Sequence, residues 1–301
     1  MKLWLCCMTR NWIQYKTFQI SNLEKLSDSE KLEKISLVYS HNIKRIWEHL
    51  EFCEKNWIES FRVSSDLLPK LFWVLEKKII DEKFLKNFYS DLKKIWEKFS
   101  KIILSMHPSQ FVVLWSLKEN VVKNSVEILK EHFLIADLLW IKEVNIHIWS
   151  WNYWDKKSTK IRFIENFQKF IPEKYKNFIT IENDERNFNI QDTLEVCEKL
   201  WLRCTFDIHH HRVAQIHEKI PWTEEFWFRK AKETWKWFWY QRVHLSSPKN
   251  WRYWEKVKLE SHSDFIEISD FPDFFKEDWV CVDIEAKAKD EAVFKLLWEI
   301  K

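Results

Sequence analysis

Short apolar runs of β-type composition alternate with helix-type patterns along the chain, and this alternation limits the possible folds more than any other feature. Consecutive parallel strands need a crossover connection, so repeated βα units predict a parallel sheet. Eight such units within 301 residues predict an α/β fold, a single (β/α)8 TIM barrel that spans residues 1–301. The predicted strands are Lys2–Met8, Ile58–Ser65, Lys101–Met106, Glu143–Ile148, Phe178–Ile181, Arg203–Ile208, Tyr240–Leu245 and Val280–Glu285.

Apolar residues at helical spacing predict helices between these strands. The alternative architecture is a doubly wound open sheet, which would need a glycine-rich phosphate loop after the first strand. No Gly-x-Gly-x-x-Gly pattern follows that strand, even when glycine is written for every Trp. The predicted helices are Ser29–Lys55, Lys83–Phe99, Lys118–Leu139, Thr159–Phe170, Gln191–Leu200, Thr223–Thr234, a short helix at Phe271–Phe275, and Asp290–Ile300.

Composition argues against several classes of protein. The formal net charge of +3 is close to neutral, and no basic tail indicates binding of nucleic acid. The 49 Lys and Arg residues still allow a local basic face. No apolar run approaches the ~20 residues of a membrane helix, and the apolar start of the chain is too short for a signal peptide. The six cysteines form no Cys-x-x-Cys and indicate free thiols in a reducing compartment. These features predict a cytoplasmic protein without a membrane segment.

The chain has 21 Trp and no Gly, whereas average usage would give roughly 21 Gly. Trp57, Trp140 and Trp201 each lie between a predicted helix and the next strand, where glycine commonly ends a helix. Our hypothesis is that these residues are glycines in the native protein, as in lineages that read UGA as glycine. The alternative is a Trp-rich protein with an aromatic binding face.

Metal-binding residue types gather at the predicted strand ends. One run ends in Asp207-Ile208-His209-His210-His211, and alone it is equally compatible with a solvated histidine cluster. Most other predicted strands also end in His, Asp or Glu, and the carboxyl ends of barrel strands converge on one mouth. A single ion takes ~4–6 ligands, so eight candidates predict a site for two or three divalent cations. These candidates are His107, His147, Glu182, Asp207, His210, His244, His262 and Glu285.

Six stretches of the sequence form one ordered set of motifs that spans nearly the whole chain: Phe61–Asp66, His107–Leu114, Ile181–Asp184, Phe206–His211, His244–Pro248 and Ile284–Lys289. In residues and in order, this set resembles the UV damage endonuclease family. The resemblance implies a metal-dependent TIM-barrel DNA repair endonuclease that nicks damaged double-stranded DNA immediately 5′ of UV photoproducts and of abasic sites.

The resemblance also implies roles for individual residues. It makes the eight candidates above the ligands of two or three Mn²⁺ ions, with Mg²⁺ or Zn²⁺ as alternatives. Strand alternation would pair Asp207 with His209, whereas the family pattern pairs Asp207 with His210, which requires the chain to leave strand geometry there. Glu182, Asp207, His244 and Glu285 are the expected catalytic residues. The expected DNA or lesion contacts are Gln110, Phe111, Ser64, Ser65 and Arg242.

Two departures from the family pattern keep other functions open. Arg242 stands where the family commonly has a carboxylated Lys, and Leu5 stands where it often has Tyr. A guanidinium cannot readily be modified or ligate a cation, so a non-catalytic binder of damaged DNA remains an alternative, as does a metal-dependent sugar isomerase or epimerase. We expect a monomer. Candidate phosphate contacts are Arg10, Lys16, Lys118, Lys249 and Arg252.

Overall fold

The protein folds as a closed barrel of eight parallel strands. The computed structural model describes residues 2–6, 14–80, 82–109, 112–148, 155–249 and 259–300. Within these residues the strands follow chain order around the barrel, and β1 pairs with β8 to close it. The predicted TIM barrel is therefore confirmed. The strands are β1 (Lys2–Cys6), β2 (Ser60–Val63), β3 (Ile103–Met106), β4 (Val144–His147), β5 (Ile179–Glu182), β6 (Arg203–Asp207), β7 (Gln241–Leu245) and β8 (Val280–Ile284).

Helices surround the barrel. The prediction of one helix between β2 and β3 is incomplete, because two helices connect these strands. In the described ranges, every helix is too short or too polar to span a bilayer. The helices are α1 (Ile20–Leu23), α2 (Asp28–Lys55), α3 (Leu71–Glu76), α4 (Glu82–Lys98), α5 (Glu119–Leu138), α6 (Lys156–Phe170), α7 (Glu173–Lys176), α8 (Ile190–Leu200), α9 (Ile208–His217), α10 (Glu224–Glu233) and α11 (Asp290–Ile300), with 3-10 segments at Ile268–Asp270 and Asp273–Lys276.

The largest error of the sequence-based assignment lies directly after β6. Ile208 was expected to extend this strand, but it begins α9, a helix that was not predicted. The strand ends because the side chain of Asp207 accepts a hydrogen bond from the backbone N–H of His210 at 2.8 Å. This is the N-cap arrangement that satisfies a free amide in the first helical turn. The chain therefore leaves strand geometry at Asp207, as the pairing of Asp207 with His210 requires.

The strands place polar side chains inside the barrel and apolar side chains against the helices. Successive strand residues face opposite sides of a sheet, so in β5 Thr180 and Glu182 share one face while Ile179 and Ile181 share the other. The hydroxyl of Thr180 donates to the side chain of Asn145 on β4 at 2.9 Å, and all of these side chains are buried. The large hydrophobic core therefore lies between sheet and helices, and the described inward-facing positions are mostly polar, apart from a small apolar cluster that includes Ile103 and Cys281.

Several exposed Trp residues have a backbone conformation that suits glycine. Four of the seven positive-φ residues in the described part of the chain are Trp. Trp201 is the left-handed C-cap of α8, with φ 57°, and 86% of it is exposed. A Cβ atom disfavours this region, so the backbone is consistent with the glycine hypothesis. The four are Trp57, Trp140, Trp201 and Trp222.

Candidate metal centre

Glu182 lies at the centre of the cluster of side chains at the barrel's carboxyl rim. It is the last residue of β5, and only 1% of its side chain is exposed. Its Oε2 lies 3.2 Å from His107 Nε2 and 3.5 Å from His147 Nε2. Its Oε1 lies 2.9 Å from His244 Nδ1 and 3.5 Å from His210 Nδ1. The two carboxylate oxygens therefore face two different pairs of imidazoles.

Asp207 and His210 enter the cluster together because Asp207 caps the helix that carries His210. Asp207 Oδ2 lies 3.8 Å from His210 Nδ1 and 3.9 Å from His244 Nδ1. The Nδ1–H of His210 is within hydrogen-bond distance of the backbone oxygen of Asn183, at 3.0 Å. The same nitrogen faces Glu182 and Asp207, whereas the Nε2 of His210 faces Glu185 Oε2 at 3.8 Å.

Glu285 and His262 complete the set, and Glu285 faces the same nitrogen of His244 as Glu182 does. Glu285 follows β8, and its Oε1 lies 3.4 Å from His244 Nδ1. Its Oε2 lies 3.9 Å from the Nδ1 of His262. His262 is held near the barrel mouth by an antiparallel bridge to Pro248, just beyond β7. All eight predicted ligands thus belong to one connected group of side chains.

The donor atoms of this cluster fit a divalent metal ion. The ligand atoms of His107, His147 and Glu182 lie within 4.8 Å of one another, as do those of Glu182, Asp207 and His244. Within the described part of the chain, Asp207 Oδ2 is buried and has no hydrogen-bond partner, which is costly unless a cation binds it. Imidazole nitrogen and carboxylate oxygen suit Zn²⁺, Mn²⁺ and Fe²⁺.

The electrostatics of the cluster also favour added positive charge. Burial alone would lower the pKa of His244, but nearby Glu182 and Glu285 raise it to about 10. Burial likewise opposes protonation of His210, whereas Asp207 and Glu182 raise its pKa to about 10. At these two histidines the carboxylates outweigh burial, whereas at His147 burial prevails and lowers the pKa to about 3. A divalent metal would be attracted by the same carboxylates.

Arg62 and Asp283 adjoin the cluster and were not assigned a role from the sequence. Arg62 on β2 lies 2.6 Å from Glu285 Oε1 through its NH1 group. Its Nε donates to Asp283 Oδ2 at 3.2 Å. Asp283 on β8 also lies 3.2 Å from His244 Nε2. The sequence did contain a signal for both residues, since each is a charged residue within a short and largely apolar strand. Burial of such a charge is costly unless an oppositely charged partner lies inside the barrel.

Arg242 does not fit the expected contact with DNA. It is fully buried in β7, and its Nε forms an ion pair with Glu143, a residue that also accepts a hydrogen bond from the hydroxyl of Tyr240. Its NH1 lies 3.6 Å from Asp283 Oδ1. A guanidinium enclosed by two carboxylates inside the barrel neutralises buried charge, so the DNA-contact assignment of Arg242 is corrected.

The remaining predicted DNA contacts are only partly within the described residues. Ser65 Oγ lies 2.9 Å from the Nε2 of buried His132, and Ser64 Oγ accepts from the backbone N–H of Asp66 at 3.1 Å. Both serines are half-buried, and their hydroxyls serve the loop after β2. The exposed basic candidates are Lys16, Lys118 and Lys249. Gln110, Phe111, Arg10 and Arg252 lie outside the described residues.

A closed parallel barrel with imidazoles and carboxylates gathered at its carboxyl rim defines a TIM-barrel protein with a candidate divalent-metal centre. The family model of the UV-endonuclease UvdE matches residues 1–301. The chain therefore belongs to the UvdE family of endonucleases.

Individual relatives agree with this assignment. The UV DNA damage endonuclease of Nostoc sp. (strain PCC 7120) is 29% identical over 309 residues, which cover 98% of this chain and 89% of that protein. The crystal structure of SacUVDE has a TM-score of 0.83 at 26% identity and covers 100% of this chain and 98% of that one. Endonuclease IV from Thermus thermophilus shares the fold, with a TM-score of 0.59 at 12% identity over 85% of this chain and 94% of that one.

Proposed function

We propose that this protein is a monomeric DNA repair endonuclease that nicks damaged double-stranded DNA immediately 5′ of UV photoproducts and of abasic sites. Two or three divalent cations, with Mn²⁺ as the first candidate and Mg²⁺ or Zn²⁺ as alternatives, would be held by the eight clustered ligands. The observation that carries this proposal is the convergence of all eight ligands on one rim in a chain that matches the UvdE family from end to end.

Glu182 would be the central ligand of the metal centre. One of its oxygens faces His107 and His147 and the other faces His244 and His210, so its carboxylate would hold metal together with these imidazoles. Asp207, which lies near His210 and His244, would belong to the same ligand set. Bound divalent cations supply an activated water nucleophile and charge stabilisation of the departing 3′ oxygen.

Glu285 would be a further ligand, and the buried Arg62 lies beside it. Glu285 lies between His244 and His262, so it would hold metal together with these two imidazoles. The guanidinium of Arg62 contacts the same carboxylate and keeps it ionised and oriented. The pKa of Glu285 is lowered because Arg62 and His244 outweigh the effect of burial, which would raise it.

DNA would be bound by residues around the rim. Exposed Lys16, Lys118 and Lys249 are candidates for contacts with backbone phosphates, which supply most of the sequence-independent affinity. Gln110 and Phe111 are the candidates for probing the lesion. An aromatic ring can replace lost base stacking while an amide fills the opened pair.

A second candidate function is the binding of damaged DNA without cleavage. The observation in its favour is Arg242, whose charge is neutralised by Glu143 and Asp283 inside the barrel. A modified lysine at this position would add a ligand to the cluster, whereas the arginine adds none. The sugar-isomerase alternative has only the shared barrel fold in its favour.

A nicking assay separates these functions. Purified protein loaded with Mn²⁺ is incubated with UV-irradiated and with untreated supercoiled plasmid, and a curated relative serves as the positive control. We expect relaxation of the irradiated plasmid alone. A duplex with one defined photoproduct then locates the nick. Binding of irradiated DNA at saturating Mn²⁺ without any nick would support the second candidate and contradict the first.

Matched variants link the activity to the cluster. Glu182→Gln keeps the size of the side chain but removes the negative charge common to both groups of candidate ligands, so we expect loss of metal and of nicking. Glu173→Gln serves as the control because the Glu173 side chain is 88% exposed and lies on α7. Elemental analysis of both variants provides a measurement that does not depend on activity.

A further inference from the structure

His244 has a different set of partners at each ring nitrogen. Its Nδ1 faces the ligand carboxylates, at 2.9 Å from Glu182 Oε1 and 3.4 Å from Glu285 Oε1. Its Nε2 faces the barrel interior, at 3.2 Å from Asp283 Oδ2 and 3.1 Å from the NH2 group of Arg62. His244 is fully buried, so when a cation replaces one of its two protons, the surrounding side chains decide which nitrogen keeps the other.

The two inner partners favour opposite tautomers of His244. Arg62 is only a donor, so it favours a bare Nε2 and a proton on Nδ1. That tautomer cannot ligate a cation through Nδ1. Asp283 is only an acceptor when ionised, so it favours a proton on Nε2 and a free lone pair on Nδ1. The tautomer that binds metal therefore needs the carboxylate of Asp283.

Asp283 is not needed solely to neutralise the charges of the neighbouring Arg62 and Arg242. Arg242 also forms an ion pair with Glu143, and Arg62 also forms one with Glu285. Each arginine therefore keeps another carboxylate when the charge of Asp283 is removed. The Nε2 of His244, by contrast, has Asp283 as the carboxylate within contact distance, at 3.2 Å. The strand register places the two residues directly opposite each other on β7 and β8.

We infer that Asp283 is a positioning residue for the metal centre: it accepts the Nε2 proton of His244 and thereby holds Nδ1 as a metal ligand. Hydrogen bonds from ligating histidines to carboxylates orient the ring, and their loss typically weakens metal binding 10- to 100-fold. This inference depends on the proposed metal centre but not on the cleavage of DNA. It also extends the site beyond the eight residues at the rim.

The test is the affinity of the whole protein for Zn²⁺, measured by competition with a chromophoric chelator. We expect Asp283→Asn to bind Zn²⁺ at the His244 subsite about 10- to 100-fold more weakly than the unsubstituted protein. Asp270→Asn is the matched control, since Asp270 is also a buried aspartate near an arginine, Arg212, and we expect no change there. Equal affinity of Asp283→Asn and the unsubstituted protein would overturn the inference.

A second measurement covers the case in which Asp283→Asn does not fold. Nitrogen chemical shifts of ¹⁵N-histidine in the unsubstituted, Zn²⁺-loaded protein report the protonated nitrogen of each ring. We expect a proton on Nε2 of His244 and metal on Nδ1, and the reverse assignment would exclude a positioning role for Asp283. If the unsubstituted protein binds no divalent cation, the proposed function fails, whereas normal binding with an unaffected variant contradicts only the role of Asp283.

Discussion

The carboxylate of Asp207 accepts the backbone N–H of His210 at 2.8 Å, so one side chain both begins α9 and orients a proposed metal ligand. Fold and site share this residue: Oδ1 caps the helix while Oδ2 faces the imidazoles. The two roles can be separated by substitutions that keep or remove the capping oxygen.

We expect Asp207→Asn to keep the cap and lose metal, and Asp207→Ala to lose both. The difference in the free energy of unfolding between the two metal-free variants should be about 1 kcal/mol, which is the typical value of an N-cap. Urea denaturation and elemental analysis measure the two effects separately. Equal stability of the two variants would show that the cap contributes nothing.

Removal of the guanidinium of Arg242 should destabilise the barrel strongly. Arg242→Met leaves Glu143 buried beside Tyr240 without its ion-pair partner, and breaking a buried pair typically costs about 3–5 kcal/mol. Arg229→Met is the control, because Arg229 pairs with Glu225 and Glu277 at the surface and such pairs contribute about 0–1 kcal/mol. Similar unfolding energies for the two variants would contradict this account of the inner ion pair.

Stability should fall in mild acid, in part because of His132. Burial lowers the pKa of this histidine to about 4, below its ordinary value of about 6.5. The unfolded chain therefore binds a proton that the folded chain rejects, so stability present above pH 6.5 is lost as the pH falls toward 4. For the full shift the loss is on the order of 3 kcal/mol.

His132→Asn should reduce this pH dependence while lowering stability at pH 7, because the hydrogen bond between Ser65 and His132 is lost. Urea denaturation at pH 7 and at pH 4.5 gives the comparison. His217→Asn, at an exposed histidine of α9, should leave the slope of the unsubstituted protein unchanged. If His132→Asn loses as much unfolding free energy between pH 7 and pH 4.5 as the unsubstituted protein does, the pH dependence comes from groups other than His132.

Glycine should stabilise the positions where Trp has a left-handed backbone. Trp57 and Trp201 are 91% and 86% exposed, with φ of 59° and 57°. We expect each Trp→Gly substitution there to raise the free energy of unfolding by about 1 kcal/mol. Trp298 is similarly exposed but helical in α11, and Gly there should give no gain.

The hypothesis that these Trp residues are glycines in the native protein can be tested only on native protein. Peptide mass spectrometry on material from the source organism should find glycine at Trp57, Trp140 and Trp201. Tryptophan at these positions would end the hypothesis, whatever the stability measurements on recombinant protein show.

The barrel and its rim were predictable from the sequence because each signal is local. A strand such as β5 is recognisable from its short apolar run, and its terminal Glu182 is visible at once. Helix α9 was missed because consecutive histidines hide the helical period at its start. Arg62 and Asp283 are 221 residues apart, and nothing in either segment indicates the other as its partner. Ion pairs inside the barrel become visible only when it closes.

The polar interior of the barrel has a consequence for how such a protein can change. Because most apolar packing lies between the sheet and the helices, the polar positions inside the barrel contribute to stability chiefly through their ion pairs. Exchanges among these inward-facing residues can therefore alter which ions and substrates the mouth accepts without disturbing the apolar layer, provided that every charge introduced or left behind has an opposite charge across the barrel.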